Sequence, residues 1–369
     1  MTLAALLILI DALTLVQQQV AKLADLAGAR FPSHTVQGAW KMVDADNWVA
    51  GYFPGMCWKL YAETKDPVWL KRAQAWTQPI GRFRHDDRDL NFGVMFEPTF
   101  VAAYRLAGDR EARQAALDAA ASMARRYMPE GRYIRSWGRV DDPRQQGMII
   151  IDCLIDLDLL FWASREEGNP YYFEIAHQHA LTTLAATVRP DGSSIQVVEL
   201  DPQTGKKLWD RHKQGYAVHT CWSRGQGWGV YMLPRLYRYT KDYRFLKGAR
   251  KMADYYLANL PADLVPYWDF GAPKIPNEPR DSSAAALAGM GLWELSAVEI
   301  DPARRTRYRQ AALETLDSLT RNYLAREITG RVLEHGAYHV PAGIAPDESL
   351  IFGDYYYLEL LLAAGKAQR

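Results

Sequence analysis

One phrase recurs along the chain and restricts the fold more than any other feature. An aromatic-rich amphipathic segment ends in a short polar turn, and an Asp or Asn then opens the next amphipathic segment, often followed by Pro. It occurs in LYAETKDPVWLKRA from Leu60, AYRLAGDREARQAA from Ala103, WASREEGNPYYFEIA from Trp162, LYRYTKDYRFLKGA from Leu236 and LSAVEIDPARRTRYRQAA from Leu295. A short side-chain oxygen at a helix start accepts a backbone N–H that has no partner within the helix, and Pro at the first helical position forfeits no bond. Asp66, Asp109, Asn169, Asp242 and Asp301 are therefore predicted N-caps, with Pro67, Pro170 and Pro302 behind three of them. With an N-terminal helix and a C-terminal one, the pattern predicts about twelve helices in pairs, an all-α toroid with an inner ring wrapped by an outer one. The whole chain, residues 1–369, is expected to be a single domain.

The charged segments suit the outer ring. The inner segments are Trp48–Tyr61, Phe92–Leu106, Ile149–Ala163, Trp222–Tyr239, Ser282–Ala297 and Ile351–Ala364. Each is entered through a loop rich in Gly, Asp or aromatic residues, and inner helices running one way place those loops at one end, where they define a pocket mouth. Between Val188 and Gly215, PDGS and DPQTGK turns flank VVEL, which predicts a β-hairpin flap near that mouth. A weaker strand-like insert spans Gly330–Gly343.

Within the third inner segment, GMIIIDCLIDLDLLFWA, Asp152 is surrounded by Ile149, Ile150, Ile151, Cys153 and Leu154. A carboxyl group in apolar surroundings is costly to ionise, so its pKa rises and it becomes able to donate a proton near neutral pH. A helix cap or a partner for a buried Arg would use the same residue type. The 12 Trp and 21 Tyr, many beside Gly, Asp or Arg, suit a pocket for a polar ring such as a sugar, although most must serve the core. A formal net charge of +1 without a basic block opposes a nucleic-acid surface. Cys57, Cys153 and Cys221 form no paired framework, which suits a reducing, cytoplasmic compartment. The apolar start MTLAALLILIDALTL lacks a positive leading region and is interrupted by Asp11, so a first helix is expected rather than a secretory signal; the run is too short to span a membrane.

IIIDCLIDLDLLFWA, CWSRGQGWGVY, PYWDF, PRDSSAAA and GAYHVPAGIAPDESLIFGDYYYLE together resemble the unsaturated glucuronyl hydrolases of glycoside hydrolase family 88, over about Phe31 to Glu359. The resemblance implies an (α/α)6 barrel. It also implies removal of a 4,5-unsaturated uronic acid from the non-reducing end of a lyase-generated oligosaccharide by hydration of the C4=C5 vinyl ether, without cofactor or metal. By motif match Asp152 is the general acid/base and Asp89, in RDLNFG, the second carboxylate; a solvated loop charge or helix cap is the alternative for Asp89. The match also assigns Trp48, Trp137 and Trp228 to sugar stacking, with core packing as the alternative, and Gln214 to a polar contact. Arg224 either binds the uronate carboxylate or is structural beneath the pocket. Arg280 and Asp281 are expected to brace the loops as an ion pair.

Two positions depart from the family pattern. Gln196 stands in SSIQ where many members have His, and Arg88 stands where many have His before the first catalytic Asp. Both are expected to surround the sugar, with the added Arg favouring a more anionic or differently linked substrate. An unsaturated rhamnogalacturonyl hydrolase is the nearest rival, and an inactive carbohydrate-binding toroid or a sugar epimerase are others. Partners beyond the oligosaccharide are not expected, neither nucleic acid nor membrane, and the chain is expected to be a monomer or weak homodimer. Gly225, Gly227 and Gly229 lack the strand–turn–helix context of a nucleotide site, and His177 and His179 are spaced so that they cannot share a helix face.

Overall fold

The structure, a computed structural model, describes residues 3–86 and 88–367. Asp87, one of the acidic neighbours of Asp89, lies outside the described residues. In chain order the elements are α1 (Leu3–Ala27), β1 (Phe31–Val36), β2 (Ala39–Val43), α2 (Tyr52–Thr64), α3 (Pro67–Thr77), α4 (Phe92–Phe96), α5 (Ala102–Ala107), α6 (Arg110–Ala124), β3 (Tyr127–Met128), β4 (Tyr133–Ile134), β5 (Met148–Ile150) and α7 (Leu157–Glu167). They continue with α8 (Pro170–Thr187), β6 (Val197–Leu200), β7 (Lys207–Arg211), α9 (Ser223–Thr240), α10 (Tyr243–Ala258), α11 (Ser282–Val298), α12 (Pro302–Asn322) and α13 (Ile351–Lys366).

All five predicted caps form. Asp66, Asp109, Asn169, Asp242 and Asp301 each accept a backbone N–H in the first turn of α3, α6, α8, α10 and α12. These are the outer helices, joined by α1. Each buries a stripe, as α12 does with Tyr308, Ala312, Thr315, Leu316 and Leu319, because its other side meets solvent. The inner helices are apolar almost all round: α11 buries every residue from Ser282 to Leu292. Contacts run from α2 to the π-helical turn Glu97–Val101, from α4 to α7, from the 3-10 turn Ile151–Asp156 to α9, then to α11, α13 and back to α2. The inner ring therefore closes, as an (α/α)6 barrel requires.

Two inner segments are less regular than periodicity predicts. Phe92–Leu106 is broken by the π turn Glu97–Val101 between α4 and α5, and the stretch read as one helix from Ile149 begins as β5 and the 3-10 turn before α7 starts. Close approach forces part of this: a side chain on Gly93 would overlap the Asp156 backbone, so α4 and the 3-10 turn touch main chain to main chain.

The flap is present and larger than a hairpin. β6 and β7 pair antiparallel as expected, and β5 adds a third strand through Ile149 opposite Val198. A second hairpin, β1–β2, turns at Gln37 and Gly38, both at positive φ. The Gly330–Gly343 insert forms only isolated bridges and the short turn Val340–Ala342, because its backbone finds partners singly, as in Gly336 with Glu348. α1 runs well beyond the apolar run read from sequence. Its segment Leu7–Ala27 is long and apolar enough to cross a membrane by length and composition, while Ala12, Val16, Val20 and Leu23 are buried in the core.

Candidate active site

The loops entering the inner helices meet around a cavity of about 420 Å³. Trp48, Asp89, Trp137, Asp152, Gln196, Gln214, Arg224 and Trp228 all line it, brought together from across the chain. Two grooves on the outside are larger, about 670 Å³ beside α12 and about 600 Å³ between α8 and α10, but neither gathers any of these residues.

Asp152 sits in the first turn of the 3-10 segment, where β5 ends and Ile151 N–H is held by the Gln196 carbonyl at 3.1 Å. Burial pushes its carboxyl up to about 6, against the pull of its own backbone N–H, Arg224, Lys213 and the Trp228 indole. Its Oδ2 has no partner in hydrogen-bond geometry, and neither do Tyr52 Oη, Trp228 Nε1 and His339 Nδ1 on the same cavity wall. Buried polar atoms are almost always satisfied in a protein interior, so unpaired atoms gathered on residues that line one cavity suit a polar ligand there, even though the Trp228 indole and the Asp152 carboxyl interact with each other.

Asp156, four residues on, is also in the wall; its Oδ1 accepts Val94 N–H at 3.0 Å. Burial raises it to about 7, with the Asp152 charge adding to the rise. Asp89 is bridged to Trp137 backbone to backbone, and Leu90 N–H bonds the Ser136 carbonyl at 2.9 Å, so its loop is pinned to the Trp137 loop. Partial burial raises its carboxyl too, opposed by the Gly138 backbone, Arg126 and Arg88.

The aromatic wall is built on the 3-10 turn Trp48–Gly51 before α2, the loop that carries Tyr338, and the start of α13. Trp48 stacks on Phe352 at 5.3 Å and on Tyr338 at 6.5 Å, and its indole donates to Tyr338 Oη at 3.2 Å. Gln196, one of the two departures, is a loop clamp. Its Oε1 accepts Lys213 N–H at 2.9 Å and Gln214 N–H at 2.7 Å, while its Nε2 donates to Gln214 Oε1 at 2.9 Å.

Several expectations change. Arg88, the other departure, does not line the cavity; its guanidinium turns to Asp86 and Asp46, because carboxylates on its own loop lie within reach. Arg224 is the structural alternative: it is 1% exposed, pairs with Asp281 at 2.6 Å and donates to the Ala337 and Tyr338 carbonyls. Asp281 is thereby taken, and Arg280 pairs instead with Asp263 at 2.9 Å. Sequence reasoning missed Lys213, Asp156, Asn91, Tyr338 and His339 as cavity residues. Lys213 adjoins Gln214 in KQG, and Tyr338 and His339 lie inside the GAYHVP phrase, so the signal was adjacency. The Lys213 ammonium rests 4.8 Å from the Trp137 ring centroid. Burial, Lys213 and Arg224 all lower the His339 pKa.

The model of Glycosyl Hydrolase Family 88 matches residues 21–359. The chain belongs to that family, and it is a glycoside hydrolase. It is 37% identical to an unsaturated glucuronyl hydrolase of Bacillus sp. strain GL1, over 95% of this chain and 94% of that one. An unsaturated chondroitin disaccharide hydrolase of Streptococcus agalactiae is 35% identical, over 92% of this chain and 86% of that one. The crystal structure of the Bacillus sp. GL1 unsaturated glucuronyl hydrolase, described as responsible for the degradation of glycosaminoglycan, superposes with a TM-score of 0.92 at 34% identity and 95% coverage of both chains.

Proposed function

We propose that the enzyme hydrates the C4=C5 vinyl ether of a 4,5-unsaturated uronic acid at the non-reducing end of a lyase-generated oligosaccharide. The names of its relatives supply the substrate class. The observation that carries the reading for this chain is Asp152: a carboxyl held at about 6 by burial, with an unpartnered oxygen, on the wall of an aromatic cavity.

Protonated Asp152 gives its proton to C4 and leaves an oxocarbenium ion at C5. The carboxylate then takes a proton from water as the water oxygen bonds C5, so Asp152 ends as it began. The hemiketal at C5 opens and expels the aglycone sugar. Asp89 is the second carboxylate at the ring. Trp48 and Trp137 offer faces for the sugar, Trp228 is buried against Tyr356 at the back of the cavity, and Gln214, clamped by Gln196, offers a polar contact. Arg224 is buried and committed to Asp281 and to the Ala337 and Tyr338 carbonyls, whereas Lys213 is exposed on the cavity wall, so Lys213 is the cation we assign to the uronate carboxylate. Three buried, unpaired cysteines support a cytoplasmic location.

Loss of vinyl-ether absorbance, followed with unsaturated glycosaminoglycan and rhamnogalacturonan disaccharides, tests the reading and ranks the substrates. The acid must carry its proton in the free enzyme, so kcat/KM falls as pH rises through about 6. Asp152→Asn lowers kcat by roughly 10²–10⁴-fold while thermal unfolding stays cooperative. A variant that keeps wild-type activity overturns the assignment.

A further inference from the structure

The β5–β6–β7 sheet continues the cavity wall outward: Val197, beside Ile150, is buried, and the face opens to solvent only at its outer strand, β7. The register sets Ile150 opposite Val197 and Val197 opposite Arg211; one rung back, Met148 lies opposite Glu199 and Glu199 opposite Trp209. Paired residues project to the same side of a sheet. Ile149, Val198 and Leu200 take the other side, packed in an apolar cluster with Tyr133, Ala186 and Ile195. Ile150, which lines the cavity, therefore shares a face with Trp209, which is 66% exposed. Two residues along the strands and two strands across, Trp209 stands roughly 12 Å from Ile150. Trp209 therefore stands outside the cavity lining that would hold the non-reducing ring. Arg211 lies between them, ion-paired with Glu199, and β7 runs on directly into Lys213 and Gln214 of the cavity.

We propose that this outer face is a distal subsite for the aglycone of oligosaccharides longer than a disaccharide. Trp209 stacks on a pyranose face. The proposal rests on the unsaturated-uronyl reading above and extends it to substrate length. The occupant follows from continuity: the wall that holds the non-reducing sugar and the strand that bears Trp209 belong to one sheet, so a chain leaving the cavity along it meets that ring. An indole presents a large flat apolar face with a polar edge, the surface that the C–H face of a sugar matches.

The test measures calorimetric binding of an unsaturated disaccharide and the tetrasaccharide of the same polymer to Asp152→Asn, with and without Trp209→Ala. The tetrasaccharide is expected to bind more tightly than the disaccharide, and Trp209→Ala to weaken only the tetrasaccharide, by about 3- to 10-fold. Trp209→Phe, which keeps a ring, restores most of that difference. Equal affinity for both lengths, equal loss for both, or no loss overturns the subsite. So does a sedimentation result in which Trp209→Ala dissociates a dimer and leaves tetrasaccharide binding unchanged, which assigns the face to a second copy. Disaccharide turnover by the wild-type enzyme tests the underlying reading separately, because no part of it depends on Trp209.

Discussion

Charge is handled in opposite ways in two regions of the inner ring. Around the cavity, Asp152 is half-buried and Asp156 buried, neither shows an ion pair among the described residues, and both carboxyls are raised toward neutrality. Elsewhere in the ring, a network of charges is paired. Lys59 on α2 holds Glu359 on α13 at 3.0 Å, and Tyr231 on α9 donates to Glu359 at 3.1 Å. Arg235 on α9 joins Asp158 on α7 and Glu294 on α11, with Arg238 also on Glu294. Both regions remove ions from water, but one compensates the cost by pairing and the other leaves it as a shifted pKa. The lesson is that burial alone does not decide what a carboxylate does; its partner does.

That contrast can be broken from either side. The largest effect is expected in the paired region: Arg235→Ala strands Asp158 and costs about 3–5 kcal/mol of stability, read by denaturant unfolding. An unchanged midpoint would show that the pairing does not compensate burial. In the cavity the sign reverses. The Asp156 carboxyl is raised, so its contribution to stability is present below its unfolded value of about 3.9 and is lost as pH rises through about 7 in the folded state. Asp156→Asn keeps an oxygen for Val94 N–H and removes that loss. It should therefore gain stability over wild type across this window, on the order of 2–4 kcal/mol by pH 8. A difference that does not grow with pH would mean that Asp156 is ionised at little cost. The smallest effect is expected from Lys213→Ala, an exposed cation over a ring. KM for a uronyl disaccharide should rise by about 3- to 10-fold with kcat nearly constant, the mark of lost ground-state binding. A fall in kcat alone would place Lys213 in the chemistry instead.

How far the site could be read in advance depended on what each residue needs. Asp152 was legible because its apolar neighbours are contiguous in sequence, and desolvation follows from them directly. The caps were legible because a cap acts within its own turn. Arg224 was not, because its donors are occupied by Asp281 and by carbonyls more than 100 residues away in the chain. Arg88 misled for the converse reason: its position beside Asp89 is local, but its side chain answers to Asp86 and Asp46. Gln196 looked like a lost titratable group, yet it ties down the loop that carries Lys213 and Gln214.

The sequence by itself determined the helical pairing, the outer-ring caps, the flap hairpin and the desolvated carboxyl, since periodicity, capping and local burial are short-range consequences of residue order. Only the tertiary structure decided which cation is free, which is spent on a structural pair, and that β5 joins the flap to the cavity wall. Those outcomes depend on donors and acceptors that meet when the ring closes, and no local pattern records which partner a charged side chain will reach first.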